Sequence, residues 1–315
     1  MRKVIAFIFC MIALFSGCEK DTPADNNVGT VSSVVSENQN TDSPEVRTGI
    51  IAEQILNGTD GEIHYSYYLP ENYESGKSYP LVMTMPGYDR MWFGENSSGS
   101  NLDWNGFLAW TELDEEMIVV SAQLTDWGEK SARQAIELTE YFTENFSVNT
   151  DRIYAAGYSA GGETMSRAVS MRPDLYAAYL HGASQWDGTF DPVAENGVFV
   201  YIFMAENDEY YGSQRARDAY DGLHDAYLKV GVPEENMDDF IRLDIPDDDY
   251  FNSHGIYNYH GGGNIVFDNE EILTLIMIDL QPKCNKIYKK LKSNSAGERK
   301  PKRFLGRLLI RSTTA

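Results

Sequence analysis

Residues 152–173 read RIYAAGYSAGGETMSRAVSMRP, and the fold turns on them. Ile153, Tyr154, Ala155 and Ala156 form a short β-prone run that ends at Gly157. From Ala160 the apolar residues fall at helical spacing until Arg172-Pro173 stops the helix. Strand and helix are thus joined by a very short turn carrying Gly157-Tyr158-Ser159-Ala160-Gly161, a match to G-x-S-x-G. A turn this tight puts Ser159 at strained backbone angles and lifts its hydroxyl above the sheet. Gly157, Gly161 and Gly162 let strand and helix come close. The Ala160 N–H then points at the place where an attacked carbonyl would develop negative charge, and the helix N-terminus adds positive partial charge.

Working outward, the flanks alternate in type. Residues 63–69 (IHYSYYL) alternate like an early antiparallel strand, and 79–85 (YPLVMTM) and 117–121 (MIVVS) are buried-type runs. Residues 131–146 carry apolar side chains at helical spacing. Strands are expected at 177–180, 198–204 and 240–245, and helices at 215–230 and 269–280. This alternation predicts an α/β fold, a mostly parallel central sheet with helices on both faces. A chain of 315 residues with 42% hydrophobic content suits one large domain, here 49–280.

The ends read differently. Arg2 and Lys3 precede an apolar run of about 12 residues, too short to span a bilayer as a helix. Ser16-Gly17-Cys18 follows, and it resembles the lipobox of bacterial lipoproteins, with Phe15 departing from that pattern. The expectation is a signal peptide over 1–17, lipidation at Cys18, and an exported protein anchored in the bacterial cell envelope. Residues 18–48 are polar and aperiodic, a flexible tether. Of 26 Lys and Arg residues, 11 fall in 281–315 beside the single acid Glu298, so that segment reads as a basic, disordered tail. The net charge of −22 argues against nucleic acid as a partner. The other cysteines, Cys10 and Cys284, leave no disulfide for the globular part.

The segment RIYAAGYSAGGETMSRAVSMRPDLYAAYLHGAS resembles serine esterases of the polyhydroxybutyrate-depolymerase and feruloyl-esterase type, and the related prolyl-oligopeptidase-like hydrolases. The resemblance thins over the rest of 67–280. It implies an α/β-hydrolase fold acting on esters, with a triad in chain order Ser, Asp, His. Ser159 is then the nucleophile. A serine needs a base, and there are five histidines. His64 and His224 read as structural and surface residues. His181 precedes the expected acid. His254 and His260 both lie between the last strand and the last helix, where the fold presents its histidine. His260 opens a His-Gly-Gly-Gly stretch like that of some relatives, whose glycines would permit positive φ; His254 stays the alternative base. The acid should follow the 198–204 strand. Resemblance to a Gly-x-x-Asp turn favours Asp208, with Glu206 second. Relatives carry His-Gly after the strand equivalent to 81–85; here Pro86-Gly87-Tyr88 stands there, which makes Tyr88 N–H the second oxyanion donor beside Ala160 N–H.

Trp92, Phe93, Trp127, Trp186, Tyr210 and Tyr211 fall in expected loops near these motifs. Trp186 and Trp92 are taken as substrate-binding residues, although aromatics under loops also pack as ordinary core. No metal-ligand spacing or phosphate-binding loop is present, so neither metal nor cofactor is expected. The expected activity is hydrolysis of carboxylic esters: acetyl or feruloyl groups on polysaccharide, polyesters, or small acyl esters. A peptidase on the same scaffold and a non-catalytic surface binding protein are the rival readings.

Overall fold

A computed structural model describes residues 47–94, 97–280 and Ser293. The expected signal peptide, Cys18, nearly all of the tether and the rest of the 281–315 tail lie outside the described residues. Eight strands form one sheet: β1 (Gly49–Gly58), β2 (Gly61–Leu69), β3 (Tyr79–Met85), β4 (Ile118–Gln123), β5 (Val148–Tyr158), β6 (Ala178–Gly182), β7 (Phe199–Phe203) and β8 (Ile241–Asp244). Their spatial order is β1-β2-β4-β3-β5-β6-β7-β8. The β1–β2 and β2–β4 pairs are antiparallel, and every pair from β4 to β8 is parallel. The α/β class expected from sequence is the observed one.

Burial follows from this geometry. All residues of β3, β4, β6 and β7 are buried, because a parallel strand with cover on both faces has no wet side. The hairpin strand β1 instead alternates between exposed and half-buried residues, with only Ile51 buried. Residues 49–58 carry no separate strand signal of their own, since apart from Ile51 the inward positions are only partly covered. The helices are α1 (Asn105–Thr111), α2 (Glu129–Asn145), α3 (Ala160–Met171), α4 (Asp191–Asn196), α5 (Gln214–Lys229), α6 (Asp248–Ser253), α7 (Tyr259–Gly262) and α8 (Glu270–Thr274). Among the described residues no helix is long and apolar enough to cross a membrane.

Two expectations change in detail. The regular helix expected over 269–280 is the short α8, capped by Asn269 through Ile272 N–H at 3.1 Å, then a wider-wound turn over Leu275–Leu280. The loop after β8 contains α6 and α7 rather than plain coil.

The sheet order sets the place of function. From β3 the chain goes to β4 on one side, while β5 lands on the other side. Such a reversal opens a crevice at the carboxyl ends of the strands. Met85 pairs with Gly157 in register, so Gly87-Tyr88 and Ser159 emerge side by side above it.

Candidate active site

Ser159 sits between β5 and α3 with φ 53° and ψ −122°. A side-chain-bearing residue adopts such angles only where its surroundings enforce them. Here its N–H donates to Gly182 O at 3.0 Å, and its carbonyl accepts from Ser184 Oγ at 2.7 Å. Close approach fixes the neighbouring glycines. A Cβ on Gly157 would lie 2.6 Å from Gly161 O, and one on Gly161 would overlap the Met85 carbonyl.

The Ser159 Oγ lies 3.0 Å from His260 Nε2. His260 Nδ1 lies 2.8 Å from Asp208 Oδ2. Asp208 follows the end of β7, and its Oδ1 accepts N–H bonds from Tyr210 at 2.9 Å and Tyr211 at 2.7 Å. Burial alone would raise this carboxyl, but the His260 and Tyr211 hydrogen bonds outweigh it and hold its pKa below the ordinary value. Asp208 is therefore the anion that an imidazole N–H needs. Glu209, the next residue, accepts Tyr259 N–H at 2.9 Å and His260 N–H at 2.7 Å. Desolvation raises its pKa less than these two bonds lower it. The Tyr158 hydroxyl donates to His260 O at 2.6 Å, from beneath the same loop.

The structure thus brings Ser159, Asp208 and His260 into one line and leaves the alternatives outside it. The His254 ring Nδ1 lies 2.8 Å from Tyr250 O, and the residue is exposed at the end of α6. Glu206 is exposed, with its backbone N–H on Pro246 O. His181 is buried against the Tyr179 hydroxyl at 2.7 Å and Ser184 O at 3.2 Å; burial pushes its pKa down to about 4. The glycines after His260 differ from expectation. None of Gly261, Gly262 and Gly263 has positive φ; a Cβ on Gly262 would overlap Ile256, so tight packing is what requires glycine there.

A cavity of about 670 Å³ opens over Ser159. Ala160 and Tyr88 both line it, and each is the first residue of a helical turn. N–H groups at that position have no acceptor within their own helix, so both can serve an oxyanion. Tyr210, Tyr211, Trp127 and Trp104 form aromatic walls.

Trp92 and Trp186 require a correction, because neither lines this cavity. Trp92 stacks on His64 with ring centroids 3.6 Å apart. Trp186 packs against Tyr179, His181 and Phe190, its indole N–H buried without a partner among the described residues.

Sequence reasoning missed Glu163. It stands four residues after Ser159 on α3, lines the cavity, and is only 7% exposed. The Tyr211 hydroxyl donates to it. Desolvation pushes the Glu163 pKa up, with the nearby Asp187 adding to the shift, against the opposing Tyr211 bond. The i, i+4 spacing places it one turn along the helix from the nucleophile, a signal that was available in the sequence.

The fold is that of the α/β-hydrolases, and the site carries a Ser-His-Asp arrangement at its nucleophile elbow. The family model for the prolyl oligopeptidase family matches residues 121–228. The crystal structure of a thermostable esterase superposes with a TM-score of 0.59 at 19% identity, over 72% of this chain and 62% of that one. A structure from Bacteroides ovatus ATCC 8483, described as a candidate dipeptidyl aminopeptidase IV, gives a TM-score of 0.50 at 13% identity, over 77% and 36%. The chain therefore spans less than two thirds of either structure's own length. No curated protein sequence matches it.

Proposed function

We propose that the protein hydrolyses carboxylic esters through an acyl-enzyme on Ser159. The observation that carries this reading is the Ser159–His260–Asp208 line, at 3.0 and 2.8 Å, opening into the cavity. His260 Nε2 takes the Ser159 proton as Oγ attacks the ester carbonyl. Asp208 holds the Nδ1–H and stabilises the imidazolium. Ala160 and Tyr88 N–H groups bind the oxyanion, each such donor being worth ~2.7–4 kcal/mol in comparable sites. The imidazolium then protonates the leaving alkoxide. Water, deprotonated by His260, attacks the acyl carbon and releases the acid and free Ser159.

The substrates proposed are acetyl or feruloyl esters on polysaccharide, polyesters, or small acyl esters. A peptidase remains the second reading, favoured by the prolyl oligopeptidase family match over residues 121–228. Side-by-side assays of p-nitrophenyl acetate and peptide anilides separate the two. A fluorophosphonate probe should label Ser159 in the purified protein, and Ser159→Ala should abolish both labelling and ester turnover. Labelling elsewhere, or turnover by the alanine variant, overturns the assignment. We also propose export and anchoring in the cell envelope through Cys18, supported by the 1–18 sequence pattern. A lipid analogue fed to cells should label the protein but not Cys18→Ser.

A further inference from the structure

The cavity over Ser159 is short of positive charge. Its Asp, Glu, Lys and Arg lining residues are Asp89, Arg90 and Glu163. The Arg90 guanidinium is engaged by Asp103, which does not line the cavity, and by Ser100 O at 2.7 Å. Neither the exposed Asp89 nor the nearly buried Glu163 joins an ion pair among the described residues. The Tyr211 hydroxyl donates to Glu163, but a phenol is neutral: it satisfies a lone pair and leaves the charge standing. Arg167, one helical turn beyond Glu163, is paired with Asp187 at 2.8 Å. Behind the triad Asp208 and Glu209 add two carboxylates, held by the His260 ring and by backbone N–H groups. This field reaches the cavity floor, where burial first, and then Asp208, Asp89 and Glu209, raise the pKa of the Tyr158 hydroxyl.

The walls around this charge are aromatic: Tyr88, Trp104, Trp127, Tyr158, Tyr210 and Tyr211. Among the described residues five aromatic side chains are exposed, and three of them, Tyr88, Trp127 and Tyr210, stand here. The rings pair edge to face, Trp127 with Tyr88 at 5.8 Å and Tyr210 with Tyr211 at 4.7 Å. Rings and carboxylates together discriminate between ligands. An anion is repelled by the carboxylates. A neutral apolar group packs on the rings but gains nothing from the charge. A small, strongly hydrated metal cation makes little use of the rings. An alkylammonium group uses both, since its charge is spread over an apolar surface that fits against π-faces. Glu163 lies one turn from Ser159, about 6 Å along the helix axis, the span of a few bonded atoms.

We infer that the cavity selects esters that carry an alkylammonium group, the cation lying between the aromatic walls and Glu163 while the ester carbonyl sits at Ser159. The selection rests on the ester-hydrolase reading of Ser159 and narrows its substrates to cationic small esters. Glu163 and Asp89 supply the charge, and Trp127 and Tyr210 supply the faces.

The test compares acetylcholine with 3,3-dimethylbutyl acetate, an uncharged ester of the same acyl group in which carbon replaces the ammonium nitrogen. The wild type should favour the choline ester in kcat/KM by about tenfold, a discrimination of ~1.4 kcal/mol. Glu163→Gln and Asp89→Asn each remove a charge at nearly constant volume, the second at an exposed position where folding is not at stake. Trp127→Ala removes a ring. A charge variant and the ring variant should both lower the ratio, by about threefold or more. A wild type without the preference, or a ratio that moves with only one kind of change, overturns the inference. Titration of Ser159→Ala with choline, followed by tryptophan fluorescence, reads the cation site without chemistry. Saturable binding that adding Glu163→Gln weakens about tenfold supports it. No binding, or binding indifferent to Glu163→Gln, refutes it. If the wild type hydrolyses neither ester while choline still binds in this way, the ester reading fails and the cation site stands.

Discussion

Glu209 holds the backbone of the histidine whose ring Asp208 holds. Its Oε2 accepts the His260 N–H at 2.7 Å, while Asp208 Oδ2 faces His260 Nδ1 at 2.8 Å. Two consecutive carboxylates after β7 thus fix both the direction of the imidazole and the start of the loop that carries it. Glu209 also takes the Tyr259 N–H at 2.9 Å, so it closes the first turn of α7 as a capping side chain does. Glu209 is a positioning residue, acting through His260 without touching the substrate.

Replacing Glu209 therefore loosens the base without removing it. Glu209→Ala should lower kcat roughly tenfold on p-nitrophenyl acetate with little change in KM, since small misplacements of a catalytic group cost rate more than binding. Glu209→Gln keeps one carboxyl-like oxygen for the backbone and should recover part of the loss. Equal falls in kcat for Gln and Ala, or a rise in KM alone, would contradict the positioning role.

How much of this was legible in the sequence depends on the range of the interactions. The elbow is local: residues 157–162 impose the Ser159 angles by their own sterics, so G-x-S-x-G between a strand and a helix announced it. His260 meets Ser159 across 101 residues of chain, and no local pattern chooses it over His254. The choice rests on α6 and α7, which send His254 outward beside Tyr250 and turn His260 inward. Aromatic content is ambiguous for a related reason. Trp92 and Trp186 lie in loops as Trp127 does, yet tertiary packing puts their rings on His64 and against Tyr179. Gly262 illustrates a correct residue read for the wrong reason: its backbone is helical, and the missing side chain makes room for Ile256.

Glu163 should make the protein less stable as pH rises. Burial holds its folded pKa above the ordinary 4.5. A carboxyl raised in this way favours folding fully below the unfolded value, and that contribution is lost as pH climbs through the folded one. Glu163→Gln keeps an acceptor for the Tyr211 hydroxyl and removes the titration. Melting curves should show Tm raised by about 2–4 °C at pH 8, the response of a domain this size to ~1 kcal/mol, and little raised at pH 4. The opposite order of the two shifts would mean the carboxylate is stabilised where it lies.

The elbow should not tolerate a methyl group. A Cβ on Gly161 overlaps backbone at Met85 and Pro86, which cannot rotate away. Gly161→Ala should destabilise the fold by ~1–3 kcal/mol or more and cut esterase activity with it. Gly76→Ala serves as the comparison, because its Cβ would meet nothing within 4 Å. Urea titration of both variants gives the measure. A Gly161→Ala midpoint equal to that of Gly76→Ala would show that the strand–helix approach is looser than drawn.

His181 supplies the clearest acid limit. It lies wholly buried behind the elbow, and burial lowers its pKa from 6.5 to about 4. A base depressed in the fold favours the native state above its unfolded pKa and loses that advantage as pH falls towards the folded value. Between pH 6.5 and 5 the loss is about 2 kcal/mol, at 1.36 kcal/mol per unit. His181→Gln removes this titration, although it costs some stability at every pH. The quantity to compare is the slope: unfolding free energy of the wild type should fall more steeply than that of the variant from pH 6.5 to 5. Parallel slopes would mean that His181 takes up its proton without unfolding the chain, and that the space between Tyr179 and Ser184 accommodates a cation.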